Sequence, residues 1–195
     1  MVMTWKPRLE KGGWFRRAKL VARQFRWSVF SDDSLAPTSA AVIMKLLAQL
    51  AVRTSMLLFT VDVKDALLMI PQPADEKATV TTVNGKCKLL RNLPGQRNAA
   101  ALWFRGFKDV STEFGMESDV MQRTLMRKVG SSINDKEGRI FFTIHVDDLM
   151  IVADEGEMQK FMEFLRSKNW SVEVKGPFNM SDTVIWSVQI FEAKH

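Results

Sequence analysis

Cysteine and histidine are scarce in this 195-residue chain, and their scarcity excludes two classes of site. Cys87 is the only cysteine, so neither an intrachain disulfide nor a cysteine-based zinc site can form. The two histidines, His145 and His195, are too few for a histidine-rich metal centre. Any metal bound by this chain would therefore be held by oxygen atoms.

Long apolar runs are also missing. The first residues lack the apolar core of a signal peptide. No apolar stretch approaches the roughly 18–20 residues that a membrane-spanning helix requires. We therefore expect an intracellular protein, cytoplasmic or nuclear, with no membrane partner.

Acidic residues are nearly absent from the first 26 positions, where Glu10 stands alone. The whole chain has a net charge of +6 and a pI near 9.6. Cations and aromatic rings alternate in this region, as in surfaces that bind phosphates and base faces. The pattern predicts a nucleic-acid-binding segment, although a disordered basic arm or a basic edge strand with core aromatics fits it too. The cations are Lys6, Arg8, Lys11, Arg16, Arg17, Lys19, Arg23 and Arg26, and the aromatics are Trp5, Trp14, Phe15, Phe25 and Trp27.

Apolar residues make up 46% of the chain, enough for a real core. Hydrophobic periodicity predicts an α+β fold, with helices on one face of a mainly antiparallel sheet. We divide the chain into a basic N-terminal segment, residues 1–37, and a main part, residues 38–195. Strands are predicted at 19–25, 56–63, 79–83, 86–90, 125–129, 140–146, 149–152, 170–174 and 184–191, with turns at 93–97 and 176–177.

Three helices are predicted in the main part. The first is capped by Thr38 or Ser39 and buries a stripe of apolar residues. The second spans residues 98–114 and ends at Gly115, and the third is capped by Asp154. The stripe of the first helix is Ile43, Leu46, Leu47 and Leu50.

Two adjacent carboxylates, Asp147 and Asp148, lie between two apolar strands. They repel each other, and a divalent cation would relieve that repulsion. Asp62 ends another buried strand, so neighbouring strands would bring three carboxylates together as a two-metal site. Asp65, three residues later, is instead expected to cap the turn or helix that follows. A solvated acidic turn is the alternative for the aspartate pair.

Six short motifs resemble, in order, the blocks of the reverse transcriptase domain of copia-type LTR retrotransposons. From the first to the last, these motifs span nearly the whole chain. They are residues 17–23 (RAKLVAR), 35–39 (LAPTS), 62–66 (DVKDA), 93–97 (LPGQR, followed by Trp103-Phe104), 145–148 (HVDD) and 175–178 (KGPF).

The resemblance implies a polymerase palm with part of the fingers, and RNA-directed DNA synthesis by nucleotidyl transfer from a dNTP to a primer 3′-hydroxyl. It implies Asp62, Asp147 and Asp148 as catalytic residues. These residues and the carbonyl of Val63 would bind Mg²⁺, or Mn²⁺. Implied nucleotide-binding residues are Lys19, Arg23, Ala66, Leu67, Gly95, Gln96 and Arg97, and implied nucleic-acid-binding residues are Arg16, Arg17, Lys19 and Arg23.

The implied partners are an RNA or DNA template with its primer, dNTPs, and other parts of a polyprotein such as integrase and ribonuclease H. We expect the thumb to be absent or truncated. His145 stands where the family has an aromatic residue, and Leu67 where a bulkier ring blocks the ribose 2′-hydroxyl. An inactive retroelement remnant that still binds nucleic acid, and a two-metal nuclease, are the competing hypotheses.

Overall fold

The computed structural model describes residues 2–7, 12–22, 36–73, 79–82, 84–129, 134, 138–178, 183–186 and 189–192. The strands are β1 (Val2–Pro7), β2 (Trp14–Lys19), β3 (Leu57–Val63), β4 (Thr79–Thr82), β5 (Gly85–Lys88), β6 (Met116–Ser118), β7 (Leu125–Lys128), β8 (Ile140–His145), β9 (Asp148–Ala153), β10 (Val172–Phe178), β11 (Thr183–Trp186) and β12 (Gln189–Glu192). The helices are α1 (Ala41–Thr54), α2 (Ala66–Met69), α3 (Ala99–Glu113) and α4 (Glu155–Ser167).

A six-stranded sheet with the order β10-β3-β9-β8-β7-β6 forms the centre of the described fold, and all its pairs are antiparallel. The pairs β1–β2, β4–β5 and β11–β12 form separate two-stranded sheets. The predicted α+β class with an antiparallel sheet is confirmed. No helix within the described ranges is long and apolar enough to cross a membrane.

Helices cover both faces of the sheet, so the prediction of helices on one face is wrong. The larger core joins one face to α3 and α4, through residues such as Phe107 and Phe161. The smaller core joins the opposite face to α1 and includes Leu47, Met150 and Val152. The reason lies in β8 and β9, which are buried along almost their whole length instead of alternating between buried and exposed. Continuous apolar strands require cover on both faces.

Helix α1 begins at Ala41, and no side chain caps it, so the predicted cap by Thr38 or Ser39 is wrong. The buried Ser39 hydroxyl instead accepts a hydrogen bond from Thr143 Oγ1 of β8 at 2.7 Å. The predicted stripe is also partly wrong, because Leu46 is 53% exposed. The helix buries Ile43, Met44, Leu47 and Ala51.

Three other predicted elements differ from the structure by more than a residue or two at their ends. The strand predicted at 19–25 is wrong, because β2 ends at Lys19 and residues 20–22 are not in a strand; residues 23–25 of that prediction lie outside the described ranges. Strand β10 runs through Gly176 and Pro177, where we predicted a turn, with a register shift between Lys175 and Phe178. The single strand predicted at 184–191 is two strands, β11 and β12. The Asn84-Gly85 hairpin and the α3 and α4 helices are confirmed.

A buried ion pair fixes the start of α4. Asp154 lies at the N-cap position, but its side chain makes no capping bond. It accepts hydrogen bonds from Arg139, with Nη2–Oδ1 at 2.8 Å and Nε–Oδ2 at 3.1 Å. Arg139 also donates to the Thr54 carbonyl at the end of α1. The hydrogen bond from the Arg139 side chain lowers the pKa of Asp154 below its ordinary value of 3.8.

We predict that Asp154→Asn lowers the free energy of unfolding at pH 7 by about 2 kcal/mol, because Arg139 loses a charged partner. A depressed carboxyl pKa stabilises the fold above the unfolded value and loses that effect as the pH falls through the folded value. Urea unfolding from pH 7 into acid should therefore show the two proteins converging at low pH. A constant difference across that range would contradict this account, and the exposed neighbour Glu155, changed to Gln, is the control.

Candidate active site

Asp62 and Asp148 are directly opposite each other on the neighbouring antiparallel strands β3 and β9. On the other side of β3, Glu173 of β10 is the partner of Asp62. Side chains of directly paired residues lie on the same face of a sheet, about 4.5–5.5 Å apart at Cβ. Three strands therefore present a row of carboxylates, which we call the carboxylate row: Asp148, Asp62 and Glu173.

The carboxylate row lies on the sheet face that α1 covers farther along. Met150 and Val152 follow Asp148 at two-residue spacing and both pack against α1. Helix α1 thus covers one part of this face, and the carboxylates lie at the end of the face where β9 begins. The predicted convergence of carboxylates from two strands is present as a pairing of Asp62 with Asp148.

The surroundings of Asp62 in the carboxylate row disfavour the charged form of its side chain. Burial raises the pKa of Asp62 above 3.8, and so do the nearby carboxylates of Asp148, Asp147 and Glu173; Lys175 opposes them. Like charges paired across strands destabilise a sheet. A bound cation would remove this cost, which is the physical reason to regard the row as a cation site.

Asp147 lies in the turn between β8 and β9, after Val146. Val146 has a φ of +54°, in the left-handed region that a β-branched residue rarely adopts. Two hydrogen bonds fasten this turn. The Val63 backbone N–H donates to the Asp147 carbonyl at 3.1 Å, and the Trp103 indole Nε1–H donates to the Val146 carbonyl.

A cleft of about 510 Å³ brings together six of the thirteen predicted site residues. It contains the metal-site candidates Asp62, Val63 and Asp147, while Asp148 lies beside it as the partner of Asp62. The side chain of Val63 belongs to the larger core. The lining residues are Lys19, Asp62, Val63, Lys64, Asp65, Ala66, Leu67, Leu68, Pro94 and Asp147.

The segment after β3 forms the floor of the cleft. Lys64 makes an ion pair with Glu173 at 3.3 Å, with both side chains about half exposed. Asp65 has a φ of +52° and occupies the N-cap position of α2, but its side chain makes no capping bond, so the expected cap is not formed. Its backbone carbonyl instead accepts a hydrogen bond from the Leu68 N–H. Ala66 and Leu67 of α2 reach the cleft as predicted nucleotide-binding positions.

The loop at residues 93–97 contacts the cleft through Pro94, and Gly95, Gln96 and Arg97 are not among the described lining residues. The Gln96 side chain is used inside the loop, where Oε1 accepts hydrogen bonds from the Leu93 N–H and from Gln72 Nε2. Gly95 meets the chain that leaves β2. A Cβ on Gly95 would lie 2.3 Å from the Ala22 carbonyl oxygen, and Ala22 N–H donates to the Pro94 carbonyl at 2.7 Å.

The strands β1 and β2 form a two-stranded ribbon, which we call the N-terminal ribbon. Lys19 at its end lines the cleft, beside Pro94. Arg16 is exposed and lies 4.9 Å from the ring centroid of Trp5, its directly opposite partner. For Arg17 the structure describes the backbone alone, and Arg23 lies outside the described residues.

Within the described part of the chain, no group of three or more His, Cys, Asp or Glu side chains is arranged to hold a metal ion. Magnesium sites commonly use one or two protein carboxylates, with substrate phosphates and water completing the shell. The Asp62–Asp148 pair and the Asp147 turn fit that donor requirement. Because the chain has one cysteine and two histidines, oxygen atoms are the ligands that it can supply to a metal.

Two residues of the site were missed from sequence. Glu173 could be recognised as surface-facing, because Val172 and Val174 flank it in alternation, but its pairing with Asp62 depends on strand order. Trp103, named above with the motif at 93–97, is 1% exposed in the larger core, and nothing in the hydrophobic pattern indicates that its indole N–H donates to the Val146 carbonyl. A scan of the chain against protein-family models finds no match.

Proposed function

We propose that this chain belongs to the class of enzymes that transfer nucleotidyl groups with the help of divalent cations. The observation that carries the proposal is the direct pairing of Asp62 with Asp148, next to the cleft that Asp62 shares with Asp147 and Lys19. Carboxylates that two neighbouring strands bring together are suited to holding cations, and a lysine in the same cleft is suited to binding phosphates.

Within that class, we propose RNA-directed DNA synthesis by a copia-type reverse transcriptase domain. The support is the six motifs in family order, together with the antiparallel sheet that brings the Asp62 and Asp147-Asp148 motifs to adjacent strands. In this proposal the six-stranded sheet is the palm, and the N-terminal ribbon belongs to the fingers.

The roles of the chain's own groups follow from their places. Asp62 and Asp148 hold the cation site at the end of the sheet, and Asp147 adds a carboxylate from the adjacent turn. Lys19 neutralises triphosphate charge from across the cleft, and Leu67 contacts the sugar of the incoming nucleotide. When bound, Mg²⁺ would supply charge stabilisation for the attacking and leaving oxygens of the transfer.

The N-terminal ribbon supports the nucleic-acid part of the proposal. Trp5 and Trp14 are 59% and 66% exposed, and the pairings of Trp5 with Arg16 and of Pro7 with Trp14 place them on one face. Exposed rings with neighbouring cations are suited to stacking on unpaired bases. The described residues of the ribbon and its flanks, 2–7 and 12–22, include no acid.

We predict that replacing both Trp5 and Trp14 with Leu weakens binding of a single-stranded oligonucleotide by about tenfold or more, since each stacked base contributes about 1–3 kcal/mol. Fluorescence anisotropy with a labelled oligonucleotide measures this, and wild-type affinity should fall steeply with salt. Met121→Ser, an exposed apolar residue between β6 and β7, is the control. Equal affinities for wild type and the double variant would argue against a stacking surface.

A nucleic-acid-binding remnant without catalysis is the second candidate function. The observation that favours it is that no three described side chains are already arranged around a metal position. The two candidates separate in a primer-extension assay with Mg²⁺ or Mn²⁺. Extension of a primed template supports the polymerase, whereas salt-dependent binding without extension supports the remnant.

A further inference from the structure

The turn that carries Asp147 adopts a backbone conformation that its own sequence does not favour. Val146 has a φ of +54° although it is β-branched, and its side chain is 43% exposed. Burial of that side chain therefore cannot be what holds the conformation. A residue kept in a sparsely populated region needs contacts elsewhere that over-determine it.

Those contacts come from the core and from β3. The Trp103 indole N–H donates to the Val146 carbonyl, and the Val63 N–H donates to the carbonyl of Asp147 at 3.1 Å. Trp103 is itself immobilised, since it is 1% exposed on α3. Its ring centroid lies 5.0 Å from that of Phe107 and 5.3 Å from that of Trp170.

We infer that Trp103 is a positioning residue, which holds the Val146 carbonyl so that the Asp147 carboxylate stays at the cleft beside Asp62. This role rests on the proposed function for its catalytic meaning. The chemistry selects tryptophan because one side chain must both fill the core and donate a hydrogen bond. Phenylalanine would fill most of the same space but would leave the Val146 carbonyl without the indole donor.

The test compares Trp103→Phe with Trp170→Phe. Both variants replace a buried indole of the same core with the smaller phenyl ring. Trp103→Phe in addition removes the hydrogen-bond donor to the Val146 carbonyl. We expect Trp103→Phe to lower kcat about 100-fold, as for a small displacement of a reacting group, while KM for the nucleotide changes by less than about threefold. We expect Trp170→Phe to keep both constants within about threefold of wild type.

A rescue separates positioning from packing. In the Trp103→Phe background, Val146→Gly should restore kcat by about tenfold, because glycine adopts a positive φ without penalty. A structural loss of core packing would not respond to this change. Equal kcat values for the two Trp→Phe variants, or no recovery with Val146→Gly, would overturn the inference.

An activity-independent measurement separates this inference from the proposed function. Amide hydrogen exchange should quicken at Asp147 and Asp148 in Trp103→Phe but not in Trp170→Phe. If wild type adds no nucleotide but exchange is faster in Trp103→Phe than in Trp170→Phe, the proposed function fails and the anchoring by Trp103 stands. If wild type adds nucleotides and the exchange is the same in both variants, the anchoring fails and the proposed function stands.

Discussion

Asp62→Asn is expected to lower the rate of nucleotide addition by about 10³-fold, since stabilisation of charge by a bound cation is worth several kcal/mol. Asn keeps the size of the side chain and removes its negative charge. The primer-extension rate, measured at saturating template, primer and nucleotide, gives the loss directly.

The same substitution should raise the free energy of unfolding at pH 7. The pKa of Asp62 is raised by burial and by Asp148, Asp147 and Glu173, so the fold disfavours its charged form. A neutral Asn avoids that cost. Loss of activity together with gain of stability is the mark of a functional residue kept at the expense of the fold.

Asp65→Asn is the matched control, because Asp65 also lines the cleft but is not part of the carboxylate row. We expect it to keep most of the wild-type rate. Two results would contradict the assignment of Asp62: a rate for Asp62→Asn close to that of Asp65→Asn, or a loss of activity explained by unfolding at a lower urea concentration.

Gly95→Ala is expected to weaken nucleotide binding about tenfold or more. Its Cβ would lie 2.3 Å from the Ala22 carbonyl oxygen and 2.6 Å from Val21 Cγ1. The chain leaving β2 must then move away from the loop at 93–97, and Lys19 moves with it. A hydrogen bond to a charged group is worth about 1.5–3 kcal/mol, which sets the expected loss. Titration of a fluorescent nucleotide gives the affinity.

Gly115→Ala is an unusually close control for this change. Gly115 has a φ of +91°, against +92° at Gly95, but nothing lies within 4 Å of the Cβ that it would gain. The positive φ is therefore matched, and the contacts with Ala22 and Val21 are what differ.

A double variant tests whether Gly95 acts through Lys19. If it does, Gly95→Ala combined with Lys19→Ala should bind nucleotide no more weakly than the poorer single variant. Full additivity would show that Gly95 does not act through Lys19.

The sheet and the end of it that carries the aspartates could largely be predicted from sequence, for physical reasons. Strands β3, β8 and β9 are short apolar runs, and the carboxylates near the end of β3, after β8 and at the start of β9 lie at the same end of the sheet. The expected meeting of Asp62 with Asp147 and Asp148 depended on their strands being neighbours. Periodicity alone does not say which strands pair.

The face of the sheet that α1 covers could not be predicted as easily. Up to Arg53, the sequence of α1 is apolar apart from one polar line, Lys45, Gln49 and Arg53. Leu46 borders that line, and telling its exposure from the burial of Leu47 needs the position of β9. The signal for a second covered face was present in β8 and β9, whose apolar residues do not alternate with polar ones. Capping was mispredicted at Ser39 and Asp154 because tertiary partners, Thr143 and Arg139, compete for those side chains.

Contacts between distant segments were beyond any local pattern. Trp103 and Val146 are 43 residues apart, and their hydrogen bond depends on α3 lying beneath the β8–β9 turn. The close approach of Gly95 to Ala22 is of the same kind. In both cases the residue types were conspicuous, but their partners were set by topology.

Single-nucleotide addition to a primed template most directly tests the central claim that the Asp62–Asp148 pair belongs to a template-directed polymerase. Purified chain, Mg²⁺ and each dNTP in turn are combined with RNA templates that differ in one base. The account predicts addition of the complementary nucleotide, strong preference over the other three, and loss of addition with Asp62→Asn. Folded wild-type protein that adds no nucleotide with either Mg²⁺ or Mn²⁺, or adds all four regardless of template, would contradict it.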